Sequence, residues 1–180
     1  MSTNKYHWKR DTKDTRDFKF TPKLNLASLP PRVDLRANCS PVEDQGNIGS
    51  CTGNAIASVI EYLYRKAKKP VDVSRLFIYY EERLLEGTVG YDSGAYIRDG
   101  IKVVYKKGAP LESMWPYNER KFSYKPPQTA YIDALGRKAI TYQRCADFSA
   151  VKGAVAQGYP VVVGDRKSTR LNSSHITISY

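Results

Sequence analysis

The sequence contains no apolar run long enough to cross a bilayer, and its opening residues, Met1-Ser-Thr-Asn-Lys-Tyr-His-Trp-Lys-Arg10, lack the apolar segment of a signal peptide. Cysteine is scarce. Cys39, Cys51 and Cys145 are the full complement, too few for a disulfide framework and without the spacing of metal ligands. The chain therefore does not read as a disulfide-stapled secreted enzyme, and neither a metal nor an organic cofactor is implied. Acidic residues are in deficit, with 18 Asp and Glu against 29 Lys and Arg, a formal charge of +11. That excess invites a nucleic-acid reading, but the basic residues are scattered along helix faces and an N-terminal arm, with no nucleic-acid motif beside them. A solvated basic surface is expected instead, with neither nucleic acid nor a membrane as partner. With 41% hydrophobic residues in 180, one globular domain with a real core is expected, acting as a monomer.

What is present centres on Pro41-Val-Glu-Asp-Gln45-Gly-Asn-Ile-Gly49-Ser-Cys51-Thr-Gly-Asn-Ala55. Ile56, Val59, Ile60 and Leu63 follow at i, i+3, i+4 and i+7, which predicts a helix with one face in the core. Arg65, Lys66, Lys68 and Lys69 suit its C-terminal dipole, and Pro70 stops it. Cys51 thus falls where the helix begins. The positive pole there favours the thiolate, which is the nucleophilic form. Gly46 and Gly49 let the preceding loop turn tightly. Gln45 carries a side-chain amide that could donate to an oxyanion beside the Cys51 N–H.

Gln45-Gly46 followed by Gly49-Ser50-Cys51 at a helix start resembles the active-site segment of the papain-like cysteine peptidases. Two positions depart from the commonest pattern. Ile48 stands where many members carry a disulfide cysteine, and Thr52 replaces the usual aromatic residue after the nucleophile. The resemblance implies an α+β, two-lobed fold, with Cys51 and Gln45 catalytic and a peptide or protein as substrate. It also implies a downstream histidine base and an orienting Asn or Asp. Asp92-Ser93-Gly94 corresponds to the glycine-bearing segment along which the family binds an extended peptide, so Gly49, Ser93 and Gly94 are the expected substrate contacts.

The remaining chain is divided accordingly. Residues 1–28 are a polar arm without periodicity, expected to lie over the domain or to be partly mobile, and His7 within it is not expected to be catalytic. Leu29-Pro-Pro-Arg-Val33-Asp-Leu-Arg36 resembles the start of the peptidase domain. Ser74 is an expected N-cap for a second helix with Leu76, Tyr80 and Leu84 on its inner stripe and Gly87 at its end. Ile97, Ile101, Val104 and Tyr105 mark a third helix closed by Gly108. Trp115-Pro116-Tyr117 is expected to pack between the two halves. Lys121–Thr129 reads as a loop and Ala139–Tyr142 as a short strand. Asp147 caps a fourth helix, with Val151 and Val155 inward and Gly158 at its end, and Val161–Val163 forms a buried strand.

The resemblance covers residues 29–164. Residues 165–180 closely resemble a translated sequencing adapter and are expected to be extraneous or disordered. His175, the only histidine after Cys51, is accordingly not expected to be the base. The helical lobe is expected to be present, the β lobe incomplete, and the 180-residue chain inactive as it stands. A non-catalytic peptide-binding module on the same fold is the competing expectation.

Overall fold

The apolar stripe after Cys51 forms α1 (Cys51–Lys66), with Ile56, Val59 and Ile60 in the core and Arg65 and Lys66 in its last turn. In the computed structural model, residues 8–25, 28–166 and 169–179 are described, those from 165 onward by backbone alone. The element α2 (Arg75–Leu85) starts at Ser74, whose hydroxyl accepts the Phe77 N–H at 3.2 Å and donates to the Trp115 carbonyl at 2.5 Å. One hydroxyl thus caps the helix and anchors a distant segment. From Arg75 to Arg83 every residue of α2 is buried. A single-stripe reading fails on such a helix, and Leu84, expected inward, is 46% exposed where the last turn emerges.

In α3 (Ile97–Lys106), Ile97, Ile101 and Val104 join Ile56, Ile60 and Ile78 in the main core. Tyr105, also expected inward, is 44% exposed and packs edge-on against Tyr142 at the rim, with ring centroids 5.4 Å apart. The element α4 (Gln128–Ala134) occupies a stretch that includes the end of the expected loop. Its buried residues, Ala130 and Ala134, are too small to announce a stripe, yet they pack on Phe77.

The second half has an antiparallel sheet of β1 (Thr141–Arg144), β2 (Val161–Arg166) and β3 (Thr169–Ser179) in the order β1-β3-β2. β1 begins two residues later than expected, because Ala139 is drawn into the helical core. Between β1 and β2 lies α5 (Phe148–Ala156), capped by the Asp147 carboxylate, which accepts the Ala150 N–H at 2.8 Å. Its inner face is Ala150 and Ala154, while Val151 and Val155 are only half-buried. Residues 165–180 are the stretch expected from sequence to be extraneous or disordered. The backbone of 169–179 is β3, the central strand. The physical reason is twofold: β2 needs partners for its peptide groups, and Ile176-Thr177-Ile178 has high β propensity.

The described part of the arm spans both halves. Lys9 donates its N–H to the Ala95 carbonyl at 2.9 Å, and Arg98 pairs with Asp17 at 2.7 Å. Farther along, Phe20 donates to the Arg144 carbonyl at 2.9 Å, and its ring is buried with Cys145, Ala150 and Ala154. His7 lies outside the described residues.

Ser74→Ala removes both bonds of the α2 cap. It is expected to lower unfolding free energy by about 1–2 kcal/mol, the usual cost of losing an N-cap hydroxyl. Urea unfolding followed by circular dichroism reads the change, and an unaltered midpoint refutes the role.

Candidate active site

Residues 43–50 form an irregular loop that ends at Ser50, the residue before α1. No regular ladder satisfies its peptide groups, so its partners come from distant chain. The Asp92 carboxylate accepts the Gly49 N–H at 2.9 Å. Glu119 accepts the Asn47 N–H at 3.1 Å. Tyr117 donates its hydroxyl to the Gln45 carbonyl at 2.7 Å. Gly46 has φ +63°, a backbone conformation that favours glycine, and a Cβ there would displace the Glu119 carboxylate that accepts the Asn47 N–H. Ile48 is buried against Leu76, Tyr79 and Ala95. Hydrophobic burial thus anchors this point of the loop.

Gln45 is half-buried, and its amide nitrogen donates to the Ile48 carbonyl at 2.9 Å. An amide nitrogen carries two hydrogens, so this bond orients the group without exhausting it. Cys51 opens α1, is half-buried and forms no disulfide. It lines a cavity of about 160 Å³ with Trp8, Thr52, Ala55, Ile97, Val162, Val163 and Gly164. This cavity lies between the helical half and β2, with the arm's indole against Gly164, where a Cβ would come within 2.7 Å of the ring. A larger groove of about 580 Å³ between Leu29–Val33 and α5 holds none of the candidate residues.

Thr52 fills the position of the usual aromatic residue with a buried hydroxyl that donates to Glu82 Oε2 at 2.7 Å. Burial pushes the Glu82 carboxyl well above its ordinary value, against the opposing pull of the Thr52 hydroxyl. The other thiols differ in character. Cys145 is buried, and desolvation pushes its thiol up to about 11, whereas Cys39 is exposed.

The expected substrate contacts are occupied within the chain. The Gly49 N–H is taken by Asp92. Ser93 Oγ bonds to the Gly94 carbonyl at 2.7 Å, and the Gly94 N–H donates to the Tyr79 hydroxyl at 3.2 Å. Asp92 bonds to both Tyr79 and Gly49, and so ties the turn to the cysteine loop. The expectation that Trp115-Pro-Tyr117 packs between the halves is corrected. Trp115 packs with the helical-side clusters, and Tyr117 sits under the cysteine loop. Among the histidines, His175 is paired in backbone register with Val163, a residue of the cavity wall.

Sequence reasoning missed the surroundings of Arg75. Its Nη1 donates to the Asp44 carbonyl at 3.1 Å and to Asn54 Oδ1 at 2.9 Å, and its guanidinium carbon lies 4.0 Å from the Tyr117 ring centre. Arg75 Nε also lies 2.9 Å from Glu43 Oε2, without the alignment of a hydrogen bond. Burial pushes the Glu43 carboxyl up to about 7, against the opposing pull of Arg75. In sequence, Arg75 was simply the first residue of an amphipathic helix.

Two predictions follow from this geometry. Ile48→Ala is expected to cost about 2–4 kcal/mol of stability, the range for truncating a buried aliphatic side chain; an unchanged denaturation midpoint refutes its anchoring role. For Glu43, a folded pKa above the unfolded value means that protonation favours the native state. That contribution is complete below about 4.5 and is lost as pH rises through about 7. The melting temperature should therefore fall across this window less steeply in Glu43→Gln than in the parent. Some slope should persist, because burial displaces Glu61, Glu82 and Glu112 in the same direction. Equal slopes in thermal scans at several pH values refute the Glu43 contribution.

No family model matches the chain. Among solved structures, it is similar to xylellain, a cysteine protease from Xylella fastidiosa, at 38% identity and a TM-score of 0.79, covering 96% of this chain and 78% of that one. A peptidase C1-like protein of Acanthamoeba polyphaga mimivirus is 37% identical over 171 residues, 86% of this chain and 55% of the viral protein. The chain thus spans about half the length of that relative. Procathepsin L 3 from the Tenebrio molitor larval midgut, at 18% identity and a TM-score of 0.67, covers 90% of this chain and 58% of its own, a likeness of fold. With the cysteine loop, the helix it opens and the sheet across the cavity all in place, the chain belongs to the papain-like cysteine peptidases.

Proposed function

We propose that the protein is a cysteine peptidase in which Cys51 is the nucleophile and Gln45 an oxyanion donor. The observation that carries this reading is the position of Cys51. It begins a sixteen-residue helix, and it lines a cavity between the helical half and β2. In the proposed reaction the Cys51 thiolate adds to the scissile carbonyl carbon. A C–S bond forms, and the carbonyl π pair moves onto oxygen, facing the Cys51 N–H and the Gln45 amide. The C–N bond then breaks as the amine takes a proton from a histidine, which leaves a thioester that water hydrolyses. The histidine and its orienting partner are not among the residues whose side chains are described, and His175 is not assigned that role. Turnover by the 180-residue chain alone is expected to be absent.

The substrate is proposed to be an extended peptide lying along the turn Ser93–Gly94, beside Gly49. Support comes from the arm, whose Lys9 bridges in parallel to Tyr96 and bonds to the Ala95 carbonyl at the same edge. A peptide uses such an edge through backbone hydrogen bonds. A non-catalytic peptide-binding module would bind there as well, but it would have no need of an addressable thiol.

The two readings separate on covalent labelling. In a Cys39→Ser background, a peptidyl electrophile such as a vinyl sulfone is expected to modify Cys51, and Trp8→Ala should speed that reaction by uncovering the cavity. His175→Ala should leave it unchanged. Absence of modification at Cys51 in the Trp8→Ala protein refutes the nucleophile, while peptide binding without modification favours the binding module.

A further inference from the structure

We propose that Tyr117 is a positioning residue for the oxyanion donors, acting through a directed hydrogen-bond chain that joins the two ends of the cysteine loop. The inference rests on the proposed roles of Cys51 and Gln45. A phenol hydroxyl has one hydrogen, and that of Tyr117 is donated to the Gln45 carbonyl at 2.7 Å. The 2.6 Å contact between Tyr117 Oη and Ser50 Oγ must therefore be donated by the serine. Ser50 Oγ in turn accepts from Asn54 Nδ2 at 3.0 Å, and the same amide donates to the Ser50 carbonyl at 2.9 Å. The Asn54 amide cannot be reversed, since its Oδ1 accepts from Arg75 at 2.9 Å. Every proton in the sequence Arg75, Asn54, Ser50, Tyr117, Gln45 is thus assigned by its neighbour.

The chain runs from the start of α2 through the first turn of α1 to the backbone of Gln45. Asn54 lies one turn into the helix that Cys51 opens, Ser50 directly precedes Cys51, and the far acceptor is the backbone of Gln45. Fixing Ser50 sets the direction of the Cys51 peptide N–H. Fixing the Gln45 carbonyl sets where its side-chain amide starts. Tyr117 is the only described side chain that bonds to both Ser50 and Gln45. Its ring is in turn held by the Arg75 guanidinium, stacked 4.0 Å from its centre. A bond of this kind transmits geometry, because the loop it supports has no ladder of its own to restore it.

A peptide aldehyde tests the proposal without requiring turnover. Its adduct with Cys51 is a thiohemiacetal whose oxygen occupies the oxyanion position, whereas alkylation by iodoacetamide forms a thioether with no oxyanion. Both are measured in a Cys39→Ser, Trp8→Ala background, comparing the parent with Tyr117→Phe, Ser50→Ala and Gln45→Ala. Tyr117→Phe is expected to weaken aldehyde binding roughly tenfold, the equivalent of one net hydrogen bond, and to leave the alkylation rate of Cys51 unchanged. Ser50→Ala, which cuts the same chain on its other side, should reproduce that split and serves if Tyr117→Phe fails to fold. Equal losses in both readouts, or no loss in aldehyde affinity, overturn the proposal. If Gln45→Ala weakens the aldehyde while Tyr117→Phe and Ser50→Ala do not, the oxyanion role of Gln45 stands and only the positioning role of Tyr117 falls. If Gln45→Ala has no effect, or the parent forms no adduct, the underlying reading falls and Tyr117 with it.

Discussion

The guanidinium of Arg75 is the charge about which the site is assembled. It is 9% exposed and touches three separate parts of the chain: the loop before Cys51 through the Asp44 carbonyl, the first turn of α1 through Asn54, and the segment after the third helix through the Tyr117 ring. A buried cation with partial pairing is costly, and removing any one partner leaves the others to meet that cost. The planar fork suits this task in a way that an ammonium would not, since it donates in one plane and stacks across it. Ile48 supplements the charge with apolar burial, which has no direction, so the loop is placed by one kind of force and oriented by another.

The buried carboxyls of the helical half are arranged at some expense to folding. Burial raises Glu43, Glu61, Glu82 and Glu112 together, and only Glu43 and Glu112 count Arg75 among the groups that oppose the shift. Glu82 takes the hydroxyl of Thr52, and Glu61 accepts the Val73 N–H at 3.1 Å. Glu61 and Glu82 each accept a backbone or hydroxyl donor, and burial opposes the charged form of both. The helical half therefore trades stability above neutral pH for polar groups that fix the approach of its helices. Active-site regions commonly show such perturbed acids, and here Glu61 and Glu82 bond to groups of α1 or of the segment that follows it.

Much of this was legible in the residues because it is local. Ser74 and Asp147 cap the helices they were expected to cap, and Gly87, Gly108 and Gly158 follow helices with positive φ as their positions implied. The start of α1 at Cys51 followed from the change between a glycine-bearing loop and a period of 3.6. What escaped was decided by partners far away in sequence. Leu84 and Tyr105 obey the helical period but lie where their helices leave the core. The element α4 packs through alanines, whose small contribution to any periodicity hides it. Tyr117 was legible as an aromatic beside proline, yet its hydroxyl partners are 67 and 72 residues away, a separation no local pattern encodes. β3 opens on the largely polar run Thr169–Ser174, and only its end, Ile176-Thr177-Ile178, has the composition of a strand.

The arm completes the argument, because its composition and its placement point in different directions. A polar segment without periodicity has little to bury, and most of residues 8–20 is fastened by ion pairs and backbone bonds, with Phe20 as its buried aromatic. Lys9–Glu86 and Arg98–Asp17 are partly shielded, whereas Arg16–Asp14 stands largely in solvent, where such a pair contributes little. Trp8 and Lys9 nevertheless reach the two places a peptide would need, the cavity beside Cys51 and the Ala95 carbonyl. In the proposed reading, a peptide taking this edge would exchange its own backbone bonds for those the arm makes, and the net gain would be the difference between them. Screening by salt weakens the arm's exposed contacts more than the apolar contact of the Trp8 ring with Gly164, so the indole is the part of the arm least sensitive to ionic strength.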